Sequence, residues 1–364
     1  MKKKYINIKN VIFFLGLLLI EFSYVSVNII LIQNYLNFIK LIGYAFLVLN
    51  IILSAREELY SGKKIFATSL ILLISLVIFL KYQSLIILEI VLVAINCINK
   101  DFSKIVKYDM IIKIFLLITI ITFYIVGWTN GNYEVIMRDN TIRNSLGFFH
   151  PNTLAMFFMV ITFEYLYLNK SKMSIFKFLV VLVLSVIATK ITDSRTSLYC
   201  TIGLIIAIIF NVKQRKKIFN KKFLNFIISN CFLIFLLLSF IISIMYLNGI
   251  TYANKLDILF NNRISYQAFF VKNYPITLFG NNVIYDITLD NGYLKLLLNF
   301  GLIPAIIYAF IYLFNFKKGI QRDSVYMVIL IFILIYSLCE SSMLYVSYNV
   351  FFLYVFCNAD KNYD

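Results

Sequence analysis

Between Lys222 and Lys255 the chain carries no charged residue. A helix needs roughly 20 apolar residues to cross the hydrocarbon core of a bilayer. No water is there to satisfy backbone amides and carbonyls, so only helices and closed barrels can cross. The run after Lys222 shows no strict alternation of apolar and polar residues, so it specifies a helix. Runs of this kind recur along the chain. They predict an all-α polytopic membrane protein of about twelve transmembrane helices. The predicted spans are 11–32, 36–54, 65–80, 84–98, 109–127, 153–168, 174–192, 196–210, 223–247, 292–314, 325–338 and 341–357. No internal repeat and no Pro- or Ser-rich linker interrupts them, so 1–364 reads as one integral membrane domain.

Composition agrees. Hydrophobic residues make up 62% of the chain, charged residues only 14%, and the mean hydropathy is +0.88. A soluble domain carries about 25% charged residues. The net charge of +17 raises the question of nucleic acid, but the cations sit in short clusters between apolar runs. That is a topology signal and not a binding stripe. With the N-terminal side taken as inside, 23 of the 34 Lys and Arg fall in inside loops and 8 in outside loops. Both termini are then expected in the cytoplasm, which requires an even number of spans. The opening Met-Lys-Lys-Lys resembles the start of a signal peptide, yet the apolar run behind it is too long for one and reads as the first span. Cys97, Cys200, Cys231, Cys339 and Cys357 form no CxxC pair and read as inert core residues.

The unusual segments fall on the predicted outer side. One is 128–152. The other is the long extracytoplasmic connection 248–291, too rich in Tyr and Phe for a solvated linker, with an interfacial helix expected near 263–272. Polar islands gather there: Arg143 to Asn152, Asp193 to Ser197, Arg263 beside Asn261 and Asn262, Asp290 to Tyr293, and Glu340 with Ser341 and Ser342. Gly147 permits a tight turn. Pro151 holds His150 extended and can open the next helix, leaving His150 at a helix mouth that attracts anions.

Arginines on the outer face run against the topology rule, so each calls for a reason. A guanidinium matches the oxygens of a phosphate and stays charged at any working pH. Arg143, Arg195 and Arg263 can together hold a diphosphate on a lipid carrier, and Asp290, Glu340 or His150 can take a proton from an attacking hydroxyl. Plainer readings stand beside these. Arg138 can be a headgroup contact, Asp193 and Arg195 can pair across a turn, and His150 can be a helix cap. Glu21 and Glu89 lie within spans with no evident partner in sequence, either lining a cavity or serving structure.

In order along the chain, Arg-x-x-x-Gly-Phe-x-His-Pro-Asn (from Arg143), Asp-Ser-Arg-Thr (from Asp193), Asp-Asn-x-Tyr-Leu-x-x-Leu-x-x-x-Gly (from Asp290) and Glu340-Ser341 resemble the Wzy-type polysaccharide repeat-unit polymerases, a branch of the O-antigen polymerase and ligase superfamily. The likeness is to those of capsule and exopolysaccharide clusters in low-GC Gram-positive bacteria, and it runs over 143–341. The resemblance implies a GT-C-type membrane glycosyltransferase acting at the outer leaflet of the plasma membrane. Its substrate would be an oligosaccharide on undecaprenyl diphosphate, with the growing glycan moved to the non-reducing end of a new lipid-linked unit. No nucleotide sugar or cofactor is implied and, as in the related ligases, no metal. A chain-length regulator and a flippase are implied as partners. Carried onto this chain, Asp290, His150 and Glu340 are the catalytic candidates. Arg143, Arg195, Arg263, Asn152, Asp193, Asn291 and Tyr293 are the candidates for diphosphate and glycan. The ligases tend to carry His before the Asn of the third motif, and Asp290 here favours the polymerase. A transporter of the same lipid-linked sugar is the competing class. It would need a polar path to the inner leaflet and commonly an internal repeat.

Overall fold

The computed structural model describes residues 8–55, 62–82, 84–129, 135–138, 141–218, 222–281 and 289–358. Of the residues named above, the opening Met-Lys-Lys-Lys lies outside them. The chain divides into two compact units. One comprises Met1–Leu76, Ile87–Thr201 and Phe356–Asp364, the other Val77–Ile86 and Ile202–Val355.

In chain order the helices are α1 (Ile8–Val25), α2 (Leu36–Ala55), α3 (Gly62–Tyr82), α4 (Ile86–Cys97), α5 (Phe102–Val126), α6 (Pro151–Leu168), α7 (Ile175–Thr192) and α8 (Arg195–Ile218). They continue with α9 (Lys222–Ser229), α10 (Cys231–Leu247), α11 (Thr251–Leu259), α12 (Arg263–Asn273), the short α13 (Gly292–Lys295), α14 (Leu302–Arg322) and α15 (Ser324–Tyr336). Among the described residues five stretches are helical, long and apolar enough to cross a bilayer: Ile8–Val25, Gln33–Ser54, Phe102–Val126, Ile175–Thr192 and Leu302–Arg322. The α9–α10 pair makes a sixth if its 61° bend is counted within one span. Apolar side chains such as Ile118, Ile125 and Leu179 point outward from these helices, as lipid-facing positions do. These are the helices of a membrane protein.

In the first unit α1 and α2 pack backbone to backbone. A Cβ added at Gly16 would lie 3.0 Å from the Gly43 carbonyl oxygen, and one at Gly43 the same distance from that of Gly16. α5 begins at Asp101, whose carboxylate accepts from the Lys104 amide, and ends at Gly127 in the left-handed region (φ 77°). The connection after it is not all loop. It holds an antiparallel hairpin, β1 (Val135–Arg138) against β2 (Thr141–Asn144), with Ile136 opposite Arg143. Asn28 donates to the Phe148 carbonyl (2.8 Å), tying the turn after α1 to the head of α6. Glu21 and Glu89 both have partners, in contrast to their isolation in sequence. Glu89 accepts from the Tyr24 and Tyr44 hydroxyls (2.9 and 3.0 Å) and lies 3.7 Å from Lys40 Nζ. Glu21 lies 3.6 Å from Lys113 Nζ.

In the second unit the apolar centre is Phe270, Leu289, Leu294 and Leu298, with Phe240 and Tyr274 packed against it. Three expected spans differ from simple helices. The span 223–247 bends at Asn230. The span 292–314 is broken. α13 passes into a π-helical turn, Leu296–Phe300, and the helix is interrupted at Gly301, whose φ of 98° favours glycine. The break is held from outside the helix. Leu302 and Ile303, the first residues of α14, donate their amides to the carbonyls of Thr277 and Leu278 (2.9 and 3.1 Å), and Asn281 donates to Leu298 (2.9 Å). Those amides would otherwise be orphans of a helix N-terminus. The span 341–357 is not one long helix but a buried run of 3₁₀ turns, Ser342–Leu344, Val346–Tyr348 and Val350–Val355. Side chains meet the carbonyls that a long helix would have paired internally. Asn315 donates to Phe352 (2.9 Å), Tyr326 to Phe351 (3.0 Å) and Lys318 to Tyr354 (2.8 Å).

Candidate functional site

The predicted site residues fall into two groups, one in each unit. In the first, Arg143 stands on β2 and is 5% exposed. Its Nε donates to the Thr192 carbonyl at the end of α7 (2.7 Å), and its Nη2 donates to Asn152 Oδ1 in the first turn of α6 (2.5 Å). One guanidinium thus joins a strand, a helix end and a helix start. His150 is extended (φ −149°), Pro151 opens α6 behind it, and His150 Nδ1 accepts the Asn152 amide (3.0 Å). The sequence anticipates this cap, and in this geometry the imidazole serves the backbone. Asp193 takes a left-handed conformation (φ 47°) that closes α7. Its carboxylate lies 3.4 Å from Arg195 Nε, the turn pair weighed above. The Arg195 side chain is 64% exposed.

The second group is built around Arg263, which opens α12 after two consecutive left-handed residues, Asn261 and Asn262. Asp257 steadies that opening by accepting the Ser265 amide (2.8 Å). Arg263 Nη2 donates to Glu340 Oε1 (2.7 Å), and Nη1 lies 3.6 Å from Asp290 Oδ2. Arg263 and Glu340 are 77 positions apart in sequence. Of the three side chains Asp290 is the most open to solvent, 41% against 21% for Arg263 and 15% for Glu340. Burial alone would lower the pKa of Arg263. The charge of Glu340, its hydrogen bond and Asp290 outweigh that and hold the guanidinium above its ordinary value. Burial pushes the neighbouring Cys339 thiol up to about 11, keeping it protonated and unreactive. All five cysteines are buried, and none is in a disulfide.

Asn291 and Tyr293 flank Asp290 but face inward. Asn291 Oδ1 caps α13 by accepting the amides of Tyr293 and Leu294 (3.0 Å each), and its Nδ2 donates to the Leu338 carbonyl and to Ser239 Oγ. Tyr293 is fully buried and donates its hydroxyl to Leu334 O (2.8 Å). The two therefore hold Asp290 and Glu340 in place from beneath, by fastening α13 to the end of α15.

One residue of this group is missed by reading the sequence, where it counts only as a lysine inside a span. Lys295, one helical turn beyond Asn291, reaches Ser341 Oγ (3.4 Å) and Tyr345 Oη (3.3 Å). Ser341 follows Glu340, so a second cation stands beside the Arg263 group. Its signal in the sequence is a charge inside an apolar run, where a cation needs a partner. The second unit thus gathers two cations and two carboxylates, partly open to solvent. Such a set can receive an anion on its cations and a proton on its more open carboxylate. No protein-family model, no curated protein and no solved structure matches the chain.

Proposed function

We propose that this chain is a membrane glycosyltransferase that polymerises oligosaccharide repeat units carried on undecaprenyl diphosphate. In this reading about twelve crossings in a GT-C-type arrangement place both termini in the cytoplasm and the site at the outer leaflet. The observation that carries it is the meeting of Arg263, Asp290 and Glu340, drawn from three separate polar islands, on one partly open face of the second unit. The acceptor hydroxyl attacks the anomeric carbon of the growing glycan. The carbon–oxygen bond to the carrier's diphosphate breaks with its electron pair, and the hydroxyl proton passes to Asp290. Arg263 and Lys295 oppose the charge gathering on the departing diphosphate, and Glu340 fixes the plane of the Arg263 guanidinium. His150, Arg143 and Asn152 build the frame of the first unit, and exposed Arg195 is the cation there best placed to meet a headgroup. A chain-length regulator and a flippase are the partners this reading implies.

A transporter of the same lipid-linked sugar is the second reading, favoured by the ionisable side chains buried in the first unit, Glu21 and Lys113 among them. Polymer length separates the two. With expression confirmed, Arg263→Ala and Asp290→Ala should abolish long chains while single repeat units still reach the outer surface. Accumulation of single units on the inner leaflet would make the chain a transporter. Normal polymer from both variants would remove the proposed site.

A further inference from the structure

α1, α5 and α6 of the first unit meet around one lysine. Lys113 contacts Asp109 one turn back on α5, lies 3.0 Å from Glu164 Oε1 on α6 and 3.6 Å from Glu21 Oε1 on α1. All four side chains are 0% exposed. Three carboxylates against one ammonium would leave two uncompensated negative charges where no water reaches. Each buried ion gives up its hydration, and neighbouring carboxylates repel most strongly where no solvent screens them. The full set of charges is therefore not sustainable.

A separate observation shows what relieves it. Neither carboxyl oxygen of Glu21 receives a hydrogen bond, nor does either oxygen of Glu164 or Oδ1 of Asp109. Of the three carboxyls, Asp109 holds the closest place on the Lys113 ammonium. A carboxyl short of donors in a sealed setting loses its charge by taking up a proton. The ammonium of Lys113 already occupies the centre of the carboxyls, where a metal ion would have to sit. We propose that Glu21, Asp109 and Glu164 form a proton-binding site holding two protons at neutral pH, one on Glu21 and one on Glu164, around a Lys113–Asp109 ion pair. The ligand is the proton, and the site lies wholly outside the group proposed for catalysis.

The neighbouring elements add little charge to it. α4 brings the buried Cys97 thiol, near enough to feel Asp109. α2 carries Lys40 and Tyr44, both engaged with Glu89. On α7, Lys177 bonds to Asn169 and Lys172, and Lys190 is exposed.

Infrared spectroscopy of the purified protein in lipid nanodiscs tests the site, since a protonated carboxyl absorbs apart from a carboxylate. At neutral pH the wild type should show protonated-carboxyl intensity, of which Glu21→Gln and Glu164→Gln each remove a part equal to one group. The double variant should lose both parts and stay folded, because each amide replaces a group that was already neutral. Glu89→Gln controls for intensity from another buried carboxyl of this unit. Unchanged protonated-carboxyl intensity in the double variant would overturn the proposal, and so would a double variant that fails to fold. Neither readout depends on polymer synthesis, so the site can stand or fall apart from the proposed function.

Discussion

The Lys113 and Arg263 groups both gather carboxylates around a cation, in opposite surroundings. Lys113 meets three carboxylates, and Arg263 meets two with Lys295 nearby. Around Lys113 the side chains are sealed by α1, α5 and α6, and the excess charge must be cancelled on the spot. Around Arg263 the charges are closer to balance and the carboxylates keep contact with solvent, Asp290 most of all. Ion pairs in the interior and at the surface obey different accounts: removing one partner of a buried pair strands a charge, and removing an exposed one strands almost nothing. Exposure, more than charge, separates the part of this molecule that holds it together from the part that can do chemistry.

Three substitutions would break or sharpen that contrast. Lys113→Met removes the only cation of the sealed group and should cost about 3–5 kcal/mol, seen as loss of the monodisperse peak in size-exclusion chromatography or a collapse of the thermal transition. A well-folded Lys113→Met protein would show that the carboxyls need no cation at all. Arg143→Ala comes next. It strands the Thr192 carbonyl and Asn152 Oδ1 in a buried setting, for about 1–3 kcal/mol, read as a lowered melting temperature. Arg195→Ala should be the mildest, within about 1 kcal/mol of wild type, since its side chain is 64% exposed and its Asp193 contact is a turn pair. If Arg195→Ala lost more stability than Arg143→Ala, the ordering by exposure would be wrong.

Much of this was legible in the amino-acid order, and the failures have physical causes. Local signals carried well. His150-Pro151 predicted an extended cap and a helix start, and both are present. The sequence points to a helix near 263–272, and α12 covers Arg263–Asn273. Signals that depend on distant partners did not carry. Glu21 and Glu89 looked isolated because Lys113, Lys40 and Tyr44 arrive from other helices, and nothing in a linear pattern joins them. Hydropathy reads the apolar run 341–357 as a membrane span, whereas the structure makes it a buried run of 3₁₀ turns. Asn315, Tyr326 and Lys318 satisfy its carbonyls from α14 and α15, and so remove the need for one continuous helix. The hairpin of β1 and β2 was missed because its strands are only four residues each, too short for a period to show. The polar islands were found because they interrupt apolar sequence. Lys295 escaped because it stands alone between leucines, with no second polar residue beside it.

Gly280 and Gly301 touch with no side chain between them. A Cβ at Gly280 would fall 2.1 Å from the Asn299 carbonyl oxygen, and one at Gly301 would fall 2.3 Å from the Gly280 nitrogen. At both positions the atoms in the way are backbone, which cannot swing aside as a side chain can. A methyl group at either one would push the segment 277–281 off the head of α14, and Leu302 and Ile303 would lose the carbonyls of Thr277 and Leu278 that now receive their amides.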